Sequence, residues 1–143
     1  MLNNKMSLRA WRKSRNINQA NAKTYVANVL EELLEIYFNN KETIKFLQEE
    51  MMAKYFDKKI LSENRLVDTI NDIQVFSINE CEMMGYDNDL TMQETIKEID
   101  SRLQDPVQRE QWRTERPSGK WQKWREQPKD TLYTANYAQC RGL

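Results

Sequence analysis

Histidine is missing from all 143 residues. Its absence excludes histidine-based catalytic triads, zinc sites with imidazole ligands and imidazole acid–base chemistry. Cysteine is nearly missing too. Cys81 and Cys140 are the only two, and they have no metal-ligand spacing. So few cysteines favour a reducing cytoplasm, with a Cys81–Cys140 disulfide as the lesser alternative. No apolar run reaches the roughly 18 residues that a membrane-spanning helix needs. The opening "MLNNKMSLRAW" has no apolar core of the kind a secretory signal carries, so a cytoplasmic location is expected. Hydrophobic residues make up 39% of the chain, which is lean for one domain of this size, so completion of the core at a subunit interface is expected.

Glycine and proline number three each, and all six lie after residue 84. The first 84 residues therefore lack strong breakers and read as helices. The first expected helix covers residues 19–38, with Val26, Val29, Leu30, Leu33, Leu34 and Tyr37 on one face. The second covers 41–55. The third runs over 62–84, with Ser62 as N-cap and Gly85 just past its end. The fourth covers 91–103, opened by a Thr91–Glu94 capping box and stopped by "QDP" at 104–106. From residue 106 the chain turns rich in Trp, Tyr, Lys and Arg and reads as an extended arm, with a short helix near 107–114. The expected architecture is an all-α four-helix bundle over 1–105, completed by oligomerisation. The aromatic, basic extension 106–143 packs on that bundle or on a neighbouring subunit.

Net charge is zero but unevenly spread. Residues 1–23 carry +6, residues 24–103 carry −9 and residues 104–143 carry +3. An acidic middle between basic ends suits a metal site flanked by phosphate-binding groups, or equally a solvated helical core with polar tails. Glu31, Glu32 and Glu35 fall within about one turn, on the side of their helix away from its apolar face. Asp68, Asp72 and Asn79 align at i, i+4 and i+11 on the third helix. That helix carries apolar residues on several sides, so burial is expected, and a buried carboxylate needs a partner or a metal. Only Arg65 is nearby. A solvated acidic face remains the rival account of both stripes. An all-oxygen donor set favours a hard ion, Mg²⁺ or Mn²⁺, which usually keeps several waters and binds substrate phosphate.

These elements resemble a known family. "EELLE" at 31–35 matches the EExxE element of the all-α nucleoside triphosphate pyrophosphohydrolases, the MazG-like and dimeric dUTPase-like superfamily. "VDTINDIQVF" at 67–76 resembles its later ExxD element, with Asp72 as the final aspartate. Thr69 stands where the family has glutamate, and Asp68, one turn from Asp72, is the replacement ligand, similar to a D-x-x-x-D reading in phage-type members. "NECEMMGYD" at 79–87 resembles the segment leading to the family's fourth helix, and "WRKSRN" at 11–16 is similar to a phage-type lead-in. The likeness covers residues 10–103. The tail, with "GKWQK" and "LYTANYAQCR", looks like an extension of phage relatives.

The resemblance implies Mg²⁺-dependent cleavage of a nucleoside triphosphate to the monophosphate and pyrophosphate, by a homodimer or homotetramer. Carried over by position, Glu32, Glu35, Asp68 and Asp72 bind metal and Glu31 orients or deprotonates the attacking water. Arg15, Lys120 and Lys123 are candidates for the triphosphate, although a solvated surface charge is the simpler account of each. Asn79 and Asn16 are candidates for sugar or base. Trp11 and Trp121 could stack on a base, with packing the simpler role for either. Three other readings compete. One is a nucleotide sensor or sponge on the same scaffold that does not turn over. The second is a single-stranded nucleic-acid module built on "GKWQKWREQ", which the acidic core disfavours. The third is a purely structural oligomer.

Overall fold

The computed structural model describes residues 3–17, 19–102, 107, 110 and 131–142. Among them are five α-helices: α1 (Asn4–Ser14), α2 (Ala22–Glu35), α3 (Lys41–Tyr55), α4 (Glu63–Met83) and α5 (Asn88–Asp100). A 3-10 helix at Tyr137–Cys140 follows. The described residues hold no strand, only an isolated antiparallel bridge between Tyr86 and Arg141. The chain is all-α, as its breaker-free first half suggests. No described helix is long and apolar enough to cross a membrane.

Short polar side chains set the helix starts. Asn3, Asn21, Asn40 and Asp87 each accept backbone N–H groups of the following first turn. The Ser62 hydroxyl accepts the Arg65 N–H at 3.1 Å. Each satisfies a donor that the helix leaves without an internal partner. Two expected boundaries move as a result. Asn21 starts α2 later than residue 19, and Asp87 starts α5 three residues before Thr91. Glu94 is therefore not the far member of a capping box. It lies in the middle of α5. At the other end of α4, Gly85 adopts φ +92°, a conformation open to glycine at little cost. Its N–H reaches Glu82 O at 2.9 Å and the Tyr86 N–H reaches Cys81 O at 3.2 Å, the two bonds of a Schellman stop.

The contacts gather into two compact units, Gln19–Ile70 and Met1–Asn18 with Asn71–Leu143. The described tail residues bond to α5. In the first unit, α2 and α3 form an antiparallel hairpin. Gln48 Nε2 donates to Ala27 O at 2.7 Å, and Lys23 meets Asp57 at 3.1 Å. Leu30 and Ile44 are its buried residues. Tyr37, expected on the apolar face of α2, lies beyond the helix end and is 83% exposed.

In the second unit, α1 runs alongside α5 in the same direction. Asn4 Nδ2 donates to Asp89 O at 3.3 Å at one end, and Arg15 holds Asp100 O and Arg102 O at 3.2 and 3.0 Å at the other. The helix α1 is not expected from the sequence. It is short and polar on average, with Leu8 and Trp11 on its half-buried face. The tail returns along α5, with the Asp87 N–H bonded to Cys140 O at 2.8 Å.

The buried hydrophobic residues among those described are Leu30, Ile44 and Cys140. The helix α4, whose residues begin in one unit and end in the other, has no buried residue at all.

Candidate functional site

Three carboxylates occupy the end of α2. Glu32 and Glu35 are exposed and Glu31 is half-buried. Because the helix stops at Glu35 instead of residue 38, Glu32 and Glu35 sit in its last turn, where the macrodipole is negative, with Glu31 just before it, and no basic residue shares that turn. Acids at a helix C-terminus are unfavourable by several tenths of a kcal/mol each, and Glu31 and Glu35 also repel at i,i+4.

The α4 stripe is arranged differently from expectation. Leu66, Ile70, Ile73 and Cys81 form its half-buried face, while Asp68, Asp72 and Asn79 lie exposed on the opposite side. The expectation of a helix covered on several sides does not hold for the single chain, so desolvation places no demand on these carboxylates. Asp68 belongs to the hairpin unit and Asp72 to the other.

Glu35, Asp68 and Asp72 enter no ion pair among the described residues. Nor does any group of three or more His, Cys, Asp or Glu among those residues stand close enough to hold a metal ion. The donor chemistry fits a hard cation, since every candidate is a carboxylate. A closed coordination shell is not assembled by the described residues of one chain.

The expected substrate-binding residues separate into three groups. Arg15 is 4% exposed, and its donors go to Ser14 Oγ at 2.9 Å, Asp100 Oδ1 at 3.4 Å and the two carbonyls at the end of α5. Its guanidinium also stacks over Trp11, 5.0 Å from the ring centroid. Both residues thus fasten α1 to the C-terminus of α5, where a cation complements the dipole. Asn16 follows at φ +54°, a left-handed position that Asn tolerates better than most residues. Asn79 is exposed on the α4 acid stripe. Lys120, Lys123 and Trp121, with most of the expected arm, lie outside the described residues; of the short helix expected near 107–114, Val107 and Glu110 are described and both are helical.

The most developed polar cluster was not legible in the sequence. Glu94, 5% exposed on α5, accepts the Tyr133 hydroxyl, the Asn136 N–H at 3.3 Å, Gln139 Nε2 at 3.3 Å and Lys97 Nζ at 3.3 Å. The Tyr133 hydroxyl holds its pKa below the ordinary glutamate value. Burial opposes this, and the Asn136 N–H and Lys97 assist. The same bond raises the Tyr133 pKa. Three of the four donors come from the tail, so Glu94 is the anchor that docks it. Sequence separations of 39 to 45 residues leave no local signal for this pairing. Both cysteines are free thiols. Burial, followed by Glu94 and Asp87, pushes the Cys140 thiol up, which makes it an inert packing residue.

No family model matches the chain, and no curated protein and no solved structure matches it either.

Proposed function

We propose that the chain is a divalent-cation-dependent nucleoside triphosphate pyrophosphohydrolase whose helical bundle is completed by further copies of itself, as a homodimer or homotetramer. The observation that carries the reading is the grouping of Glu31, Glu32 and Glu35 at the C-terminal end of α2. The exposed line of Asp68, Asp72 and Asn79 on α4 supplies the second acidic face. Both coincide with the two elements that resemble the all-α pyrophosphohydrolases.

In this reading Glu32, Glu35, Asp68 and Asp72 hold the cation. Mg²⁺, when bound, supplies charge neutralisation and a lowered water pKa. Glu31 orients the attacking water and takes its proton. Water attacks the α-phosphorus, the bond to the bridging oxygen breaks, and the monophosphate and pyrophosphate leave. Asn79, on the same face as the aspartates, contacts the nucleoside. Arg15 serves the site only by fixing α1 against α5.

A pyrophosphate-release screen of ribo- and deoxynucleoside triphosphates with Mg²⁺ or Mn²⁺ tests this. Turnover that yields pyrophosphate, and that Glu35→Ala or Asp72→Ala lowers by about 10²-fold or more, is the expected result. Thr69, standing where the resembling family has glutamate, favours one second reading. It is a nucleotide-binding protein that does not turn over, and binding without release of either phosphate product would establish it.

A further inference from the structure

The chain has as many acidic as basic residues, 22 of each, but it does not mix them in α1. Among the described α-helices, α1 is the one without any Asp or Glu, and it carries Lys5, Arg9, Arg12 and Lys13. All four cations are exposed, and none enters an ion pair among the described residues. At about 3.6 residues per turn they fall within about 100° of the helix circumference and span roughly 12 Å along its axis. Lys5 with Arg9, and Arg9 with Lys13, are like-charge neighbours at i,i+4, which disfavours an isolated helix. Helix stability therefore does not account for the pattern.

The other side of α1 is occupied. Leu8 and Trp11 are half-buried and Arg15 is buried, and Asn4 and Arg15 tie the two ends of the helix to α5. The cations thus lie off the packed side of a helix fixed at both ends. The apolar groups exposed beside them are Met6 and Ala10. A helix that lies on a membrane needs a large apolar face to insert, and here Leu8 and Trp11 are spent on packing. Single-strand binders stack bases on aromatic rings, and this face has none exposed. What remains is a row of positive charge on a rigid element. A duplex presents a phosphate about every 3.4 Å along each strand, so a row of roughly 12 Å faces three or four phosphates of one strand.

We infer that the exposed face of α1 binds the phosphate backbone of a nucleic-acid duplex through Lys5, Arg9, Arg12 and Lys13. Contacts to phosphate carry no sequence information, so the binding is independent of base order. Its driving force is release of the counterions condensed on the phosphates that these side chains neutralise. The acidic stretch 24–103 repels the same polyanion and holds the affinity in the range of non-specific binding. The carboxylates of α2 and α4 take no part, so this binding and the proposed hydrolysis succeed or fail separately.

Fluorescence anisotropy of a labelled DNA duplex of about 20 base pairs, titrated with the full chain, tests it. The expected dissociation constant is on the order of 10 µM at about 50 mM salt, rising about tenfold for each doubling of salt and equal for unrelated sequences. The double variant Arg9→Glu/Arg12→Glu weakens binding by about tenfold or more. Lys5→Gln/Lys13→Gln adds no acid to the helix and lowers the logarithmic salt slope by about two. Lys45→Glu/Lys58→Glu alters net charge as much as the first variant, at exposed positions in the other unit, and leaves binding within about threefold. Circular dichroism checks that each variant keeps its helices. No anisotropy change with about 100 µM chain at about 50 mM salt overturns the inference. So does an equal loss in the α1 and the Lys45/Lys58 variants, which would make the effect one of net charge. A chain that ignores the duplex and sediments with phosphatidylserine vesicles overturns it as well, in favour of a lipid surface.

Discussion

Arg15 and Glu94 are the chain's two buried charges among the described residues, and each fastens one piece of chain to α5. Arg15 closes the carbonyls at the end of α5 from α1. Arg15→Met is expected to cost about 2 kcal/mol by leaving those acceptors unpaired, read as a lower urea midpoint at unchanged slope. Glu94 acts through its charge. Its folded pKa is lowered, so its contribution to stability is complete above the ordinary glutamate value of about 4.3 and is lost as pH falls through the lowered folded value. Melting curves between pH 7 and pH 3 should show this loss in the wild type. Glu94→Gln should melt lower at pH 7 and change less on acidification, and an identical acid limb in both proteins would contradict the anchor. The sequence marks Arg15 as a basic residue and Glu94 as a cap. It does not show what either is for, because their partners lie 39 to 87 residues away.

At the scale of elements, legibility followed the capping chemistry. The bounds 41–55 of α3 are readable because Asn40 precedes an uninterrupted helical run. The ends of α4 are readable because Ser62 and Gly85 are strong signals. The start of α5 was misplaced because two acceptors compete there, and Asp87 reaches the first-turn N–H groups that Thr91 does not. The end of α2 was placed too late, and this bears on the proposed function, since the earlier stop sets Glu32 and Glu35 in the helix's last turn. Gly85→Ala is expected to cost about 1–2 kcal/mol because φ +92° disfavours any Cβ. Asn21→Ala should cost about 1 kcal/mol as a lost N-cap. Thermal melts of the two variants check both values, and the Asn21 effect should exceed that of replacing exposed Asn28 by alanine.

For the whole molecule, lean hydrophobicity was the informative number. The described part of this chain, 39% hydrophobic overall, buries Leu30, Ile44 and Cys140, and completion of the core by further copies is part of the proposed function. The all-α class was legible from the positions of glycine and proline. The grouping of the N-terminus and the tail with α5 was not, since it depends on polar contacts across most of the sequence. The acid stripes were legible as stripes, and Glu32, Glu35, Asp68 and Asp72 lie exposed. Their work together on a triphosphate is the central claim. The most direct measurement is to incubate the purified chain with a panel of nucleoside triphosphates and Mg²⁺ and identify the phosphate product. Pyrophosphate that appears with at least one substrate, disappears with chelator and falls with Asp72→Ala is the predicted result. No release with any triphosphate, or release of orthophosphate alone, would contradict it.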